Sequence, residues 1–319
     1  MTYDQNSIQI RDAGAFLVGQ LEKLDTTLHL PSTQVTYARD IMLRTDVSIG
    51  HEASSWTNTT WGATGGVSST GKSWSGTRTN NDGSISIATQ KSVGLLTPWS
   101  QEVDWTIFEV EAALLTGTPI DVQKVTALKT KWDMDVDWSV YIGDVDLGTF
   151  GLWNNPNVAA TNAVTGTWST ATPAQILADI REAEEAVWES TAFAYAPRKL
   201  ALDPTSFTRL LQPFTVTTAG GTAGFGSIMD YIKANSLCNA INGTPLEIVP
   251  SKWLTAGRAT SVNRFVVYTN DYDLVRFPLV PLAHSPVVYL GDRQSVTYYG
   301  RVGAVEFVNP LTAAYRDGN

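Results

Sequence analysis

Three aspartates at alternate positions are the residues that most resemble a metal site. Asp133, Asp135 and Asp137 have the spacing of the first ligands of a calcium-binding loop, and Asp144 falls at its twelfth position. Such a loop needs glycine for a sharp turn where this sequence has Trp138, and it ends on glutamate rather than aspartate. Because helical periodicity fits the same residues better, we predict a solvated acidic helix face, with calcium binding as the alternative.

Few other residues have catalytic potential. A serine or cysteine nucleophile needs a histidine base, and the histidines are His29, His51 and His284. None of them lies in a nucleophile-elbow motif. Residues 220–227 are rich in glycine but lack the lysine of a phosphate-binding loop, so we expect a flexible loop there. The sequence therefore predicts no enzyme and no cofactor.

The composition is that of a folded, acidic protein. The 319 residues are 43% hydrophobic and include 31 acidic and 22 basic side chains, for a net charge of -9. Because the basic residues are scattered, we expect at most weak contact with DNA. The apolar runs are too short to cross a bilayer, and the first residues lack a signal-peptide pattern. A single cysteine, Cys238, excludes intramolecular disulfides, and eleven tryptophans favour a protein with large interfaces.

A long amphipathic helix over residues 119–142 is the element that positions the aspartates. Pro119 suits the first turn of this helix, which we name the spine helix, and Gly143 suits its end. At 1.5 Å per residue the helix is roughly 35 Å long. Its predicted apolar face consists of Val122, Val125, Leu128, Trp132, Val136 and Val140.

Shorter elements flank the spine helix. We predict an amphipathic helix over residues 11–24, an extended arm over residues 25–50, a helix over residues 97–117 capped by Ser100, and a helix with a capping box that opens at Thr172. The apolar face of the first of these helices consists of Phe16, Leu17, Leu21 and Leu24. An extended arm of this length is suited to hold neighbouring subunits together.

Residues 51–90 differ sharply from the rest of the chain. Of these 40 residues, 25 are Ser, Thr, Gly or Asn, so the segment cannot form its own core. Turn residues at 81–83 and alternation at Ile85 and Ile87 predict a long hairpin with a mobile tip. A disordered linker is the alternative. The residues that could anchor the hairpin on a partner are Trp56, Trp61, Trp74 and Arg78.

The second half of the chain combines short strands with helices. Because these elements do not alternate regularly, they indicate an α+β architecture. The predicted strands are Lys199 to Leu202, Leu246 to Val249, Arg264 to Tyr268, Val287 to Leu290, Val296 to Tyr299 and Val302 to Val308. A further helix with Ile228, Tyr231 and Ile232 follows the glycine-rich stretch.

Taken in order, these features resemble the major capsid proteins of tailed bacteriophages with the Hong Kong 97-type fold, and more narrowly a capsid family catalogued mostly as a domain of unknown function. The serial order carries the resemblance more than any single motif does. The segments concerned are TGTPIDVQKVTALKTKWDMDVDWSVYIGD, GLWNNPNV, the W-x-x-x-T-P-A-Q-I-L-A-D-I run from Trp168, LALDPTSFTRLL, FGSIMDYIKANS and GRVGAVEFVNPLTAAYRDG.

This resemblance implies a division of the chain. Residues 1–50 would be an N-terminal arm and residues 51–97 an extended loop that lies across an adjacent subunit. Residues 98–150 and 279–319 would form a peripheral domain containing the spine helix, and residues 151–278 an axial domain. The implied fold class is α+β of the Hong Kong 97 type.

The resemblance also implies a structural function. The chain would assemble with itself, as pentamers and hexamers, into an icosahedral shell that encloses phage double-stranded DNA. Scaffold, portal and decoration proteins are further implied partners, and the shell would assemble in the bacterial cytoplasm to become the virion capsid. The implied interface residues are Trp56, Trp61, Lys72, Trp74, Arg78 and Trp132. Lys72 and Asn309 are conceivable partners in a covalent crosslink, as in some members of the fold.

Three other functions stay open at this stage. An encapsulin-like nanocompartment shell shares the fold. A carbohydrate-binding module could stack sugars on Trp56, Trp61 and Trp74. An enzyme that uses Asp133 or Asp135 is the weakest alternative.

Overall fold

The computed structural model describes residues 33–63, 83–116, 120–163, 166–218 and 221–319. The predicted helix over 11–24 and the candidate residues Lys72, Trp74 and Arg78 lie outside these ranges.

The described chain contains both helices and strands throughout its length. The helices are α1 (Tyr37–Asp40), α2 (Ile107–Thr116), α3 (Ile120–Tyr141), α4 (Pro173–Ser190), α5 (Pro204–Leu210), α6 (Ile228–Asn235) and α7 (Leu237–Asn242). The strands are β1 (Met42–Arg44), β2 (Ala53–Ala63), β3 (Ile85–Leu95), β4 (Thr97–Thr106), β5 (Ala159–Asn162), β6 (Lys199–Leu202), β7 (Pro213–Thr218), β8 (Gly221–Ser227), β9 (Glu247–Pro250), β10 (Arg264–Tyr268), β11 (Val275–His284), β12 (Val288–Leu290), β13 (Arg293–Val302), β14 (Glu306–Phe307) and β15 (Ala313–Asp317).

In the first sheet, β13 is the central strand. It pairs along its length with β4 on one edge and with β11 and β12 on the other edge. Strand β1 from the arm pairs in parallel with β11, and β14 pairs with β11 as well. The prediction of a helix over 97–117 is therefore wrong for its first half, because residues 97–106 pair with β13 and only α2 is helical. Trp99, Val103 and Trp105 lie on the less exposed side of this strand, so alternation with period two was the governing pattern.

The second sheet has the order β5-β15-β10-β6-β9. Strands β6 and β10 have the predicted bounds, and β9 differs from its predicted bounds by one residue. Strand β15, the last strand of the chain, belongs to this second sheet. The strands within residues 275–307, which precede it, belong to the first sheet. The glycine-rich stretch predicted to be a flexible loop provides β8, which forms a hairpin with β7.

The spine helix α3 packs in the core between the two sheets. Its buried residues Val136, Val140 and Tyr141 join one cluster with Phe277 of the first sheet and Val266 of the second. The opposite face of the second sheet, with Leu200, Leu202 and Phe265, is covered by α4 and α6 in a separate cluster. The central strands β6 and β10 of the second sheet are thus buried on both faces.

The structure confirms two helices in particular. Helix α3 has almost the predicted bounds, although Val122 at its start is exposed rather than part of the core. Helix α4 begins after the predicted capping box, in which Thr172 and Gln175 satisfy each other's backbone groups. None of the helices in the part of the chain that the structure describes is long and apolar enough to cross a membrane.

Candidate assembly site

The arm is fastened to the spine helix by a buried carboxylate. Asp137 is 1% exposed, and its Oδ1 accepts hydrogen bonds from the backbone N–H groups of Thr36 (2.9 Å) and Tyr37 (3.1 Å). Its Oδ2 accepts from Trp253 Nε1 at 2.7 Å and lies 3.4 Å from Lys252 Nζ. The carboxylate therefore satisfies the first N–H groups of the short helix α1 from a distant element, as a capping residue would.

Residues on the neighbouring turns of the spine helix also bind the arm. Four residues before Asp137, Asp133 accepts a long hydrogen bond of 3.4 Å from the Tyr37 hydroxyl. Four residues after Asp137, the Tyr141 hydroxyl donates to Asp40 Oδ2 at 2.5 Å. Positions four apart lie on one face of a helix, so one stripe of α3 binds the arm over three turns. We name this set of contacts the arm clamp.

Asp40 is the buried end of the arm clamp. Arg39 binds it through two hydrogen bonds, of 2.7 and 2.9 Å, and Lys199 Nζ lies 3.5 Å away. Lys199 is itself buried, and it donates to the Arg39 carbonyl at 2.5 Å. Burial, together with the Asp40 carboxylate, raises the pKa of the Tyr141 phenol, so Tyr141 stays a hydrogen-bond donor even at alkaline pH where an exposed tyrosine would ionise. The arm is therefore bound to both the spine helix and the second sheet.

These contacts correct the prediction of a solvated acidic face. Asp137 is buried, and Asp135 is partly buried because it accepts from Trp99 Nε1 at 3.0 Å and pairs with Lys131. The carboxylates point to different tryptophans and do not converge on a common point. In the described ranges, no group of three or more His, Cys, Asp or Glu side chains is arranged to hold a metal ion.

A second buried carboxylate fixes the base of the hairpin that β2 and β3 form. Glu306 is 1% exposed and accepts hydrogen bonds from Arg276 Nε at 2.7 Å and from Arg44 Nη1 at 3.3 Å. Ser54 of β2 donates to the same carboxylate, and Asn58 donates to the Val308 carbonyl at 3.1 Å. Strand β1 of the arm and the base of the hairpin are thus joined at one buried charge cluster.

The outer part of the hairpin lies in solvent. Strands β2 and β3 pair with each other over eleven residues each, from Ala53 opposite Leu95 to Ala63 opposite Ile85. Every described residue of 59–63 and 83–91 is exposed. The apolar side chains in this exposed part include Trp61, at 71% exposure, Ile85 and Ile87. The predicted hairpin is confirmed in place of the disordered linker over these residues.

The candidate interface tryptophans differ in their surroundings. Trp61 is exposed near the end of β2, whereas Trp56 is half-buried near the hairpin base. Trp132 is 6% exposed and packs edge to face on Trp99, with ring centroids 4.9 Å apart. A Cβ on Gly300 would come within 2.7 Å of the Trp132 ring, so this residue fits closely against β13. Trp132 belongs to the core of its own subunit, which corrects its prediction as an interface residue.

The segment GLWNNPNV closes the end of the spine helix. The last carbonyl groups of a helix lack partners within it. The N–H groups of Gly151, Leu152 and Trp153 donate to the carbonyls of Ile142, Val140 and Tyr141, at 3.1, 2.7 and 3.2 Å. Asn154 also donates to the Ile142 carbonyl, at 2.7 Å. These contacts add to the predicted glycine cap, because Gly143 has a left-handed φ of 78° and its N–H donates to the Trp138 carbonyl at 3.3 Å.

The other residues considered for chemistry make local contacts. His51 accepts from the Ser48 backbone N–H within one turn, and the His284 ring lies beside Tyr298. Cys238 is buried. Asn309, the conceivable crosslink acceptor, caps a short 3-10 helix over Pro310–Thr312.

Comparisons with known proteins identify the family. The model of a family described as major capsid protein matches residues 71–318, which is most of the chain, and the chain belongs to that family. It is a structural protein of a capsid shell, and its α+β fold is the capsid fold of the Hong Kong 97 type. No curated protein is detectably similar to it in sequence.

Solved structures share this fold at low sequence identity. The capsid of Myoviridae phage XM1 has a TM-score of 0.70 and 17% identity, over 94% of this chain and 98% of that one. The capsid of a native GTA particle has a TM-score of 0.60 and 11% identity, over 96% and 98%. The SrpI encapsulin from Synechococcus elongatus has a TM-score of 0.57 and 13% identity, over 95% and 94%.

Proposed function

We propose that many copies of this protein assemble into an icosahedral phage shell that encloses double-stranded DNA, with each hairpin lying across an adjacent subunit. The observation that carries this proposal is the outer hairpin. A two-stranded hairpin is marginally stable in water unless a third element covers one face. Within the described part of the subunit, residues 59–63 and 83–91 have no such cover, because they are exposed.

The hairpin has both the reach and the side chains for such a contact. Eleven residues at about 3.3 Å each give a strand of roughly 36 Å, long enough to reach well beyond the hairpin base. Trp61 is the anchor in the described part, since exposed tryptophan is enriched at interfaces. Burial of Trp61 on a neighbour would remove one of the largest exposed apolar side chains from water.

The two sheets support a division into peripheral and axial regions. In this proposal the first sheet and the spine helix form the peripheral region. The second sheet with α4, α5, α6 and α7 forms the axial region, which meets its copies in pentamers and hexamers. Two changes from the sequence-based division follow. Residues 313–317 join the axial sheet, because β15 pairs with β10. Residues 275–278 join the peripheral sheet, because they belong to β11.

The acidic charge fits weak, sequence-independent contact with packaged DNA, since few phosphates could be neutralised. We propose that the protein acts without catalysis, within the virion, after assembly in the bacterial cytoplasm; scaffold, portal and decoration proteins are the further proposed partners. The encapsulin-like alternative has the same fold, and membership of the capsid family favours the phage shell.

Truncation of the hairpin tests this proposal. Thr59 lies directly opposite Thr89, so residues 60–88 can be replaced by Asn-Gly, the preferred two-residue turn. We expect the truncated subunit to fold and to form no shells, as measured by light scattering and electron microscopy. The base contacts of Ser54 and Asn58 are retained in this variant.

Thermal unfolding of the soluble truncated subunit is the folding control, and its midpoint should lie within a few degrees of that of the unassembled full-length subunit. Shells of normal size from the truncated chain would refute the role of the hairpin.

A further inference from the structure

A cleft beside the spine helix is apolar and open, and the shell proposal does not use it. The cleft has a volume of about 510 Å³ and lies between α2, the first turns of α3 and the first sheet. Val122 at its edge is 58% exposed. The residues that define the cleft are Trp105, Val110, Ala113, Val122, Val125 and Val296. An amphipathic helix can bind by placing its apolar face in a groove of this kind.

The cleft continues the face of the spine helix that carries the arm clamp. Thr126 and Lys129 line the cleft, and they precede Asp133 by seven and four residues. Steps of three, four and four from Thr126 through Lys129 and Asp133 to Asp137 keep these residues on one face of the helix. The described arm begins at residue 33, and the Gln34 carbonyl accepts a hydrogen bond from Lys252 Nζ at 2.6 Å, beside the Asp137 end of this face.

The remaining length of the arm is sufficient to reach the cleft. Thr126 and Asp137 are about 17 Å apart along the helix axis, at 1.5 Å per residue. The eight residues 25–32 span up to about 26 Å when extended. Residues 11–24 can therefore reach the cleft of their own subunit without crossing to another.

The same residues have the apolar pattern that the cleft requires. Phe16, Leu17, Leu21 and Leu24 lie within one face of the predicted helix. An isolated helix of fourteen residues is marginal in water, so it depends on an apolar surface. We propose that residues 11–24 bind as an amphipathic helix in the cleft between α2 and α3 of their own subunit. The arm clamp then fixes the point from which the chain leads to this helix.

Crosslinking between paired cysteines tests this binding mode. Lys23→Cys lies at the edge of the predicted apolar face, and Thr126→Cys lies in the cleft. Lys131→Cys, which is exposed on another face of the same helix, is the matched control. Cys238 is buried and can stay, and each single-cysteine variant controls for its reactivity. A short bismaleimide joins the pairs in the full-length protein, and mass spectrometry identifies the linked peptides.

Mixing isotopically heavy and light subunits before assembly distinguishes a helix from the same subunit from a helix contributed by a neighbouring subunit. We expect linkage of residues 23 and 126 within one chain, without mixed-isotope products, at a yield at least about five-fold above that of residues 23 and 131. Mixed-isotope products would place the helix of a neighbour in the cleft and overturn the proposal. Equal yields at 126 and 131, or no linkage, would overturn it as well.

Hydrogen exchange provides a second readout that does not depend on cysteine variants. Deletion of residues 1–24 should raise amide exchange in α2 and residues 122–129 about ten-fold or more while leaving β6 and β10 unchanged. Unchanged exchange in α2 would contradict the proposal. Because this readout uses unassembled subunits, its failure is distinguishable from failure of the shell proposal.

Discussion

Replacing Asp137 by alanine is expected to lower the free energy of unfolding of the subunit by about 3–5 kcal/mol. The change removes the acceptor of the Thr36 and Tyr37 N–H groups and of Trp253 Nε1. A buried donor left without a partner costs about 1–3 kcal/mol, and three donors lose theirs here. Lys252 adds little, because its ammonium group is partly exposed and screened by water.

Urea unfolding of the truncated, non-assembling subunit measures this loss, because assembly would otherwise stabilise the folded state. The control is Asp135→Ala. Asp135 is 32% exposed in its side chain and accepts from Trp99 Nε1 and Lys131, so its loss should cost about 1 kcal/mol. Equal losses at the two positions would show that Asp137 is not the main acceptor of the arm clamp.

Adding a methyl group to Gly151 is expected to lower the free energy of unfolding about as much as Asp137→Ala does. A Cβ at this position would lie 2.2 Å from the carbonyl carbon of Tyr141 and 2.4 Å from the backbone nitrogen of Ile142. These are backbone atoms in the last turn of the spine helix and cannot rotate away as a side chain would. We expect Gly151→Ala to lower the free energy of unfolding by about 3–5 kcal/mol, because the loop that caps the helix must move.

The matched control lies in the same loop. Gly148 has a positive φ of 64°, but a Cβ there would have no atom within 4 Å. Gly148→Ala should therefore cost only the left-handed backbone conformation, about 1–2 kcal/mol. Urea unfolding of both variants in the truncated subunit compares them directly. A Gly151→Ala variant as stable as Gly148→Ala would show that the helix end has room for a side chain.

Patterns in the sequence predicted those helices and strands whose conformation is determined by residues nearby in the chain. The spine helix was predictable because its apolar residues recur every three or four positions, and α4 because its capping box is a local signal. The hairpin strands followed from composition and turn residues. For the two helices the determining residues lie within about twenty positions of one another, whereas the hairpin pairs residues as far apart as Ala53 and Leu95 around one local turn.

The errors arise where distant residues decide the structure. Residues 97–106 have an apolar pattern that fits a helix, yet β13, nearly 200 residues further on, pairs with every residue of β4. Asp137 resembles a surface residue until Thr36, Tyr37 and Trp253 are brought to it. A sequence signal was present, since Asp137 lies beside the apolar residues Val136 and Val140 on the helix, within reach of the buried face.

A charged residue between apolar neighbours in the sequence could also have predicted the buried charge cluster at the hairpin base. Glu306 stands between Val305 and Phe307, where a solvated strand would not be expected. A charged residue in such a place is retained only if it is paired, and Arg44 and Arg276 are its partners. The arm clamp and the Glu306 cluster together fix the arm, spine helix and hairpin base as one unit, from which the outer hairpin extends.

Electron cryomicroscopy of particles formed by the purified full-length protein tests the central claim most directly. The account predicts closed shells in which residues 59–63 and 85–91 of every subunit lie on an adjacent subunit, with Trp61 buried in that contact. Shells in which these residues contact no neighbour, or a protein that remains monomeric under every assembly condition, would contradict it.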